Sequence, residues 1–217
     1  LAVEVHSQEE EKMVEGIFWL GHDSFRLEGE KTVYIDPWKL AADAEKAAVI
    51  LITHDHYDHF SQDDIAKISR PDTVIVCPQS VAAKLGKGTV VQAGDKISAN
   101  GIAVQVVPAY NPNKQFHPKS AGHVGYIVTL NNKRIYHTGD TDLIPEMAQI
   151  KCDIALLPVS GTYVMTATEA AEAANTLKPA LAIPMHYGDS DVVGTRSDAE
   201  EFKRLAKVPV EILEKSK

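Results

Sequence analysis

Short apolar runs separated by Gly, Pro or charged turns dominate the chain, and their periods distinguish strands from helices. Ile17-Phe18-Trp19-Leu20, Ser24-Phe25-Arg26-Leu27 and Thr32-Val33-Tyr34-Ile35 are β-prone runs joined by tight turns, which predicts an antiparallel meander. Val49-Ile50-Leu51-Ile52-Thr53 lacks polar alternation, so it reads as a strand covered on both faces. Ser61, followed by acids at Asp63 and Asp64, predicts a capped helix to about Ser69, with Pro71 beyond it. A strand over Thr73–Cys77, a short helix over Ser80–Leu85 and strands near Val90, Ile97 and Ile102–Val107 complete the first half.

The second half repeats this organisation. Tyr126–Leu130 and Arg134–His137 flank Asn131-Asn132 and predict a hairpin, with further strands at Ile154–Leu157 and Ala180–Met185. Thr166-x-x-Glu169 and Ser197-x-x-Glu200 have capping-box spacing and predict helices to about Leu177 and Lys207. Val210–Leu213 is expected to end the chain as a strand. Strands followed by mixed segments, twice over, suggest two sheets packed together with helices outside, an α+β architecture.

The 217 residues are expected to form one domain, 1–217, with 1–15 as a flexible or peripheral N-terminal segment. Apolar residues at 44% and charged residues at 24% are ordinary for a globular chain. A net charge of −8, without a Lys/Arg run, disfavours a nucleic-acid partner. The two cysteines, Cys77 and Cys152, lie in apolar runs and are expected as buried free thiols. No apolar stretch approaches the ~20 residues of a membrane span, and Leu1–Gly16 is too acidic for a signal peptide. A cytoplasmic setting is expected, with export after leader removal as the alternative because the chain starts at Leu1 without Met.

The candidate chemistry starts where the Val49–Thr53 run ends, at His54-Asp55-His56-Tyr57-Asp58-His59. Burying several such groups unpaired would be costly, which argues for metal ligation over packing. Alternation places His54 and His56 on one side of an extended segment, while Asp58 and His59 lie where the chain turns. Two ligand pairs can thus face two adjacent metal positions. Imidazole and carboxylate suit zinc, with manganese or iron as alternatives.

His54-x-His56-x-Asp58-His59 resembles the signature of the metallo-β-lactamase superfamily. The later motifs Tyr136-His137-Thr138-Gly139-Asp140-Thr141 and Pro184-Met185-His186-Tyr187-Gly188 follow in that superfamily's order. The resemblance runs from Trp19 to about Glu214 and implies a four-layer αββα sandwich. It further implies that Asp140 bridges two metals and that His186 binds the second with Asp58 and His59. Trp19-Leu20-Gly21-His22-Asp23-Ser24-Phe25 and Tyr34-Ile35-Asp36-Pro37-Trp38 resemble a branch that includes ascorbate-6-phosphate lactonases and the phospholipase D acting on N-acylphosphatidylethanolamine. There Asp36 would orient a ligand histidine, or else be a turn residue before Pro37. His22 either lines the site or satisfies its own loop.

The sequence departs from the superfamily pattern in mid-chain, where Val106-Val107-Pro108-Ala109-Tyr110 leads to Asn111 instead of a histidine. His117 is the candidate for completing the first metal site, with His123 in reserve and Asn111 beside it. The expected activity is hydrolysis of an ester-type bond, lactone, phosphodiester or related, in a small molecule by hydroxide generated between two divalent ions. Rival readings are an iron-dependent redox protein, in which superfamily members tend to carry Glu at the position of His56, and a non-catalytic metal-binding member. Homo-oligomerisation is left open.

Overall fold

The computed structural model describes residues 12–216; of the expected N-terminal segment, residues 1–11 lie outside the described residues. The first sheet runs in chain order through β1 (Ile17–Gly21), β2 (Ser24–Leu27), β3 (Val33–Ile35), β4 (Val49–Leu51), β5 (Val74–Cys77) and β6 (Thr89–Val90). The second contains β7 (Lys96–Ala99), β8 (Ile102–Pro108), β9 (Val124–Leu130), β10 (Lys133–His137), β11 (Ile154–Pro158) and β12 (Leu181–Met185) in continuous spatial order. Both sheets are mixed and built alike. Strands β1 to β3 pair antiparallel and β3 to β6 parallel. Likewise β7 to β10 pair antiparallel and β10 to β12 parallel.

Alternation along β4 divides its side chains between two apolar layers. Val49 and Leu51 enter the core between the sheets, whereas Ile50, and Ile52 just beyond it, enter an outer cluster. That outer cluster is closed by Ile65 and Ile68 of α1 (Gln62–Ile68) and Val81 of α2 (Gln79–Leu85). On the opposite side α3 (Ala167–Leu177) packs on β11 and on α4 (Arg196–Leu205), which itself touches β12. Helix, sheet, sheet and helix thus form the expected αββα sandwich. Truncating Leu51 to Ala, at 0% exposure in this core, would cost ~2–5 kcal/mol.

Local signals account for most of the element boundaries. The Ser61 hydroxyl accepts from Asp64 N–H at 3.2 Å and caps α1. Thr166 and Glu169 cap each other's backbone N–H at 2.8 and 3.2 Å before α3. Asn131 and Asn132 turn the β9–β10 hairpin with φ of 51° and 60°, values that Asn tolerates.

Four expectations need correction. Helix α4 begins at Arg196, because the Asp198 carboxylate accepts from Thr195 N–H at 2.7 Å; Ser197 therefore lies within the helix and does not cap it. That helix also ends at Leu205, short of Lys207. The run Val210–Leu213 forms only an isolated bridge, Val210 to Ala182, and not a strand. Cys77 is buried as expected, but Cys152 precedes β11 and is only half-buried; both thiols are free. Among the described residues, no helix is long and apolar enough to cross a membrane.

Candidate metal centre

The cluster residues gather at one end of the sandwich, where chain leaves the strands. His22 follows β1, Asp36 follows β3, His54 lies just past β4, Asp140 past β10, and His186 directly after β12; His117 comes from the β8–β9 connection. Several occupy left-handed backbone, with φ of 52° at His22, 46° at Asp36, 54° at His117 and 61° at His186. Such conformations cost about 1–3 kcal/mol for an ordinary residue and persist where the surroundings enforce them. Gly139, at φ 62°, has a different reason: a Cβ there would lie 2.9 Å from the Val124 carbonyl.

Two groups of ligand atoms form around Asp140. In one, His54 Nε2 and His117 Nε2 each lie 3.1 Å from His56 Nδ1. Asp140 Oδ2 is 3.8 Å from His54 Nε2 and 3.2 Å from His117 Nε2. In the other, Asp58, His59, His186 and His22 offer atoms all within 4.8 Å of one another. Asp140 reaches this second group too, with Oδ1 3.3 Å from His59 Nε2 and Oδ2 3.5 Å from His186 Nε2. His117 is therefore brought into the first group. His123 is instead stacked on the His54 ring at 4.7 Å and belongs to neither.

The far sides of the His54, His59, His117 and His186 rings are held by hydrogen-bonding groups. Asp36 accepts from Thr53 N–H at 2.7 Å, from the Thr53 hydroxyl at 2.6 Å and from His59 Nδ1–H at 2.8 Å. Because the Thr53 hydroxyl donates to Asp36, its oxygen accepts from His54 Nδ1–H at 3.0 Å. His117 Nδ1–H donates to the Tyr163 carbonyl at 3.1 Å, and His186 Nδ1 contacts the Ser160 hydroxyl at 2.7 Å. With Nδ1 engaged on the outer side, the Nε2 atoms of His54, His59 and His117 face the centre, where each can serve as a ligand once it is free of a proton. This is the support that metal-ligating histidines generally receive. His59 Nε2 and Asp140 Oδ1 are buried without hydrogen-bond partners, an arrangement that is costly until a cation satisfies it.

Electrostatics distinguish the members. Burial pushes His54 well below the usual imidazole range. Burial also opposes the charge on His59, yet Asp140, Asp36 and Asp58 outweigh it and hold that imidazole well above its ordinary value. Asp140 is buried too, but His59, His186 and His54 keep its carboxyl well below the carboxylate range. Asp58, although partly desolvated, is brought down to about 2 by the His22 hydrogen bond and by His59.

Residues 16–186 match the profile of the Beta-lactamase superfamily domain. The chain belongs to that superfamily. Within it, the chain is 35% identical over 211 residues to a UPF0173 metal-dependent hydrolase of Archaeoglobus fulgidus, covering 88% of this chain and 90% of the relative. A UPF0173 metal-dependent hydrolase of Thermoplasma acidophilum is 36% identical over 207 residues, with 88% and 90% covered. These likenesses show membership of the UPF0173 metal-dependent hydrolase family. A crystal structure from Parabacteroides distasonis superposes with a TM-score of 0.81 at 35% identity, covering 90% of this chain and 91% of that one. Igni18, a metallo hydrolase of Ignicoccus hospitalis, shares the fold at a TM-score of 0.75 and 22% identity, with 93% and 95% covered.

In this superfamily member the structure also brings in residues that the sequence motifs did not single out. Asp23 is fully buried, with both carboxylate oxygens unpartnered and Oδ2 3.9 Å from His59 Nδ1. Its proximity to Gly21-His22 could have drawn attention to it. Ser160 and Tyr163 have no comparable signal, because their contacts span 26 and 46 residues. Asn111, expected near the site, holds the loop: its amide donates to the carbonyls of Phe116 at 3.0 Å and Tyr163 at 2.6 Å.

Proposed function

We propose that the chain hydrolyses an ester-type bond, lactone, phosphodiester or related, in a small molecule, using two divalent ions with zinc first and manganese or iron as alternatives. The observation that carries this reading is the position of Asp140, whose two oxygens reach both ligand groups at 3.2 to 3.8 Å. His54, His56 and His117 would hold one ion and Asp58, His59 and His186 the other, with Asp140 common to both. When bound, such ions lower the pKa of water toward about 7 and stabilise negative charge on a carbonyl or phosphoryl oxygen.

The chain's own groups do the rest. Asp36 locks the orientation of His59 directly and of His54 through Thr53. Asp58 lines the cavity in ionised form, where it can accept a hydrogen bond from an incoming water and orient it. His22 Nε2, 3.1 Å from Asp58 Oδ2, holds that carboxylate in place. The cavity of about 690 Å³ falls within the ~300–1,000 Å³ usual for small-molecule sites.

Elemental analysis after reconstitution should find about two ions per chain, and a screen of lactones, carboxylic esters and phosphodiesters with Zn²⁺ and Mn²⁺ should yield turnover. Stoichiometry well below one in folded protein would refute the two-ion centre. Full metal loading with no turnover across the screen would refute the hydrolase.

A further inference from the structure

The cavity over the centre has a wall chemistry that bears on the substrate. Tyr57, Phe116, Tyr163, Val192 and Val193 supply its apolar lining beyond the ligand residues. Tyr57 and Phe116 are 65% and 47% exposed, and with Val90 they are the exposed large hydrophobics among the described residues. Two of these three thus sit at one cavity mouth, a placement that chance exposure does not explain. Phe116 packs edge-on against Tyr163, with ring centroids 4.6 Å apart, and Tyr57 donates to the Asp191 carbonyl at 3.5 Å, tying it to the loop that carries the two valines.

Among the described residues no lysine or arginine lines the cavity. The nearby lysines are already engaged by carboxylates, two of which, Asp55 and Asp191, line the cavity. Lys84 pairs with Asp55, Lys114 pairs with Asp142, and Lys39 bridges Asp189 at 2.7 Å and Asp191 at 2.5 Å. The metal ions would attract negative charge only at the scissile group. A phosphate or carboxylate elsewhere on the substrate would meet aromatic rings and valines, with no lysine or arginine free to pair with it, since the cations beside Asp55 and Asp191 are already engaged by those carboxylates.

Resting on the hydrolase reading above, we infer that the substrate carries an uncharged, apolar ring next to its scissile bond, seated against Tyr57, Phe116 and Tyr163. A substrate bearing a phosphate or carboxylate away from that bond does not suit this cavity.

Two hydroxamates with the same metal-directed group and different tails test this on the metal-loaded protein by calorimetry, without need of turnover. Phenylacetohydroxamate should bind at least tenfold more tightly than the carboxylate-tailed succinic monohydroxamate. Phe116→Ala and Tyr57→Ala should each reduce that ratio severalfold, while Val90→Ser, outside this cavity, should leave it unchanged. Equal or tighter binding of the carboxylate compound overturns the inference, as does no binding by either compound or a ratio untouched by both aromatic substitutions. If the phenyl preference stands but no ester is hydrolysed, the hydrolase reading falls and this assignment of the cavity survives. If esters are hydrolysed and the preference is absent, the outcome is reversed.

Discussion

The two ligand groups that share Asp140 sit in opposite electrostatic surroundings. Around His54 and His117 the supporting groups are neutral, the Thr53 hydroxyl and the Tyr163 carbonyl. Around His59 and His186 they include carboxylates, with Asp36 2.8 Å from His59 and the fully buried Asp23 close by. Burial by itself would lower all four imidazoles, and for His54 and His117 it prevails. For His59 and His186 it is overcome, by Asp140 and Asp36 in one case and by Asp140 and Asp23 in the other. Burial pushes the Asp23 carboxyl well above the carboxylate range, so the carboxylates of the second position are Asp58, the shared Asp140 and Asp36 behind His59, and these would favour tight retention of a cation there. An ion at the first position, where His56 is exposed to the cavity, would be lost and exchanged more easily.

The comparison is broken most severely by removing what the groups share. Asp140→Asn keeps the shape of the side chain but deletes its charge, so kcat should fall by roughly 10²–10³-fold or more and at least one ion should be lost. Circular dichroism should be unchanged. Near-normal turnover with both ions retained would show that the two groups do not depend on Asp140.

A smaller effect should separate the neighbours His117 and His123. His117→Ala should reduce the metal content from about two ions to about one and depress turnover, because its Nε2 faces His56 Nδ1 at 3.1 Å. His123→Ala removes a stacked ring and should leave the metal content intact. Elemental analysis of the two variants side by side decides the matter, and the opposite pattern would transfer the ligand role to His123.

The smallest effect concerns pH in metal-free protein. Burial lowers His22 from 6.5 to about 4, and its Asp58 partner only partly offsets this. The unfolded chain therefore binds the extra proton first, so the stability that neutral His22 contributes is present above pH 6.5 and fades as pH falls toward 4. Between pH 7 and pH 5 the loss should be about 2 kcal/mol. His59 and His186 have the opposite sign: held above the usual range, they contribute fully below pH 6.5 and lose that contribution as pH rises. Because these contributions oppose each other, the test is a difference: from pH 7 to pH 5 the stability of chelator-treated protein, from urea unfolding, should fall more, or rise less, than that of His22→Gln by about 2 kcal/mol. An identical change in the two proteins would refute burial of a neutral His22.

What the sequence made legible was local. The paired strands, the Ser61 and Thr166 caps and the cluster from His54 to His59 depend on neighbours a few positions apart. Errors arose where two local signals competed or a long-range partner was missing. Thr195-x-x-Asp198 and Ser197-x-x-Glu200 both have capping spacing, and only three-dimensional context selects the former. Val210 finds one bridging partner in Ala182, too little to extend a sheet. Within the site, the Asp36–Thr53–His54 chain and the Ser160 and Tyr163 supports join distant segments that no spacing rule connects.

The left-handed backbone at His22, Asp36, His117 and His186 constrains how this molecule can change over generations. Beyond glycine, the residue types that tolerate such φ values best are asparagine, aspartate and histidine, so backbone and chemistry favour overlapping alphabets at these four positions. A descendant that abandoned the reaction but kept the sandwich would be expected to accumulate Gly or Asn there, since Leu, Val or Ile would strain the chain. At His54 and His59, where φ is negative, the same release would admit ordinary apolar residues, and the first decay of the centre would be written in those two positions.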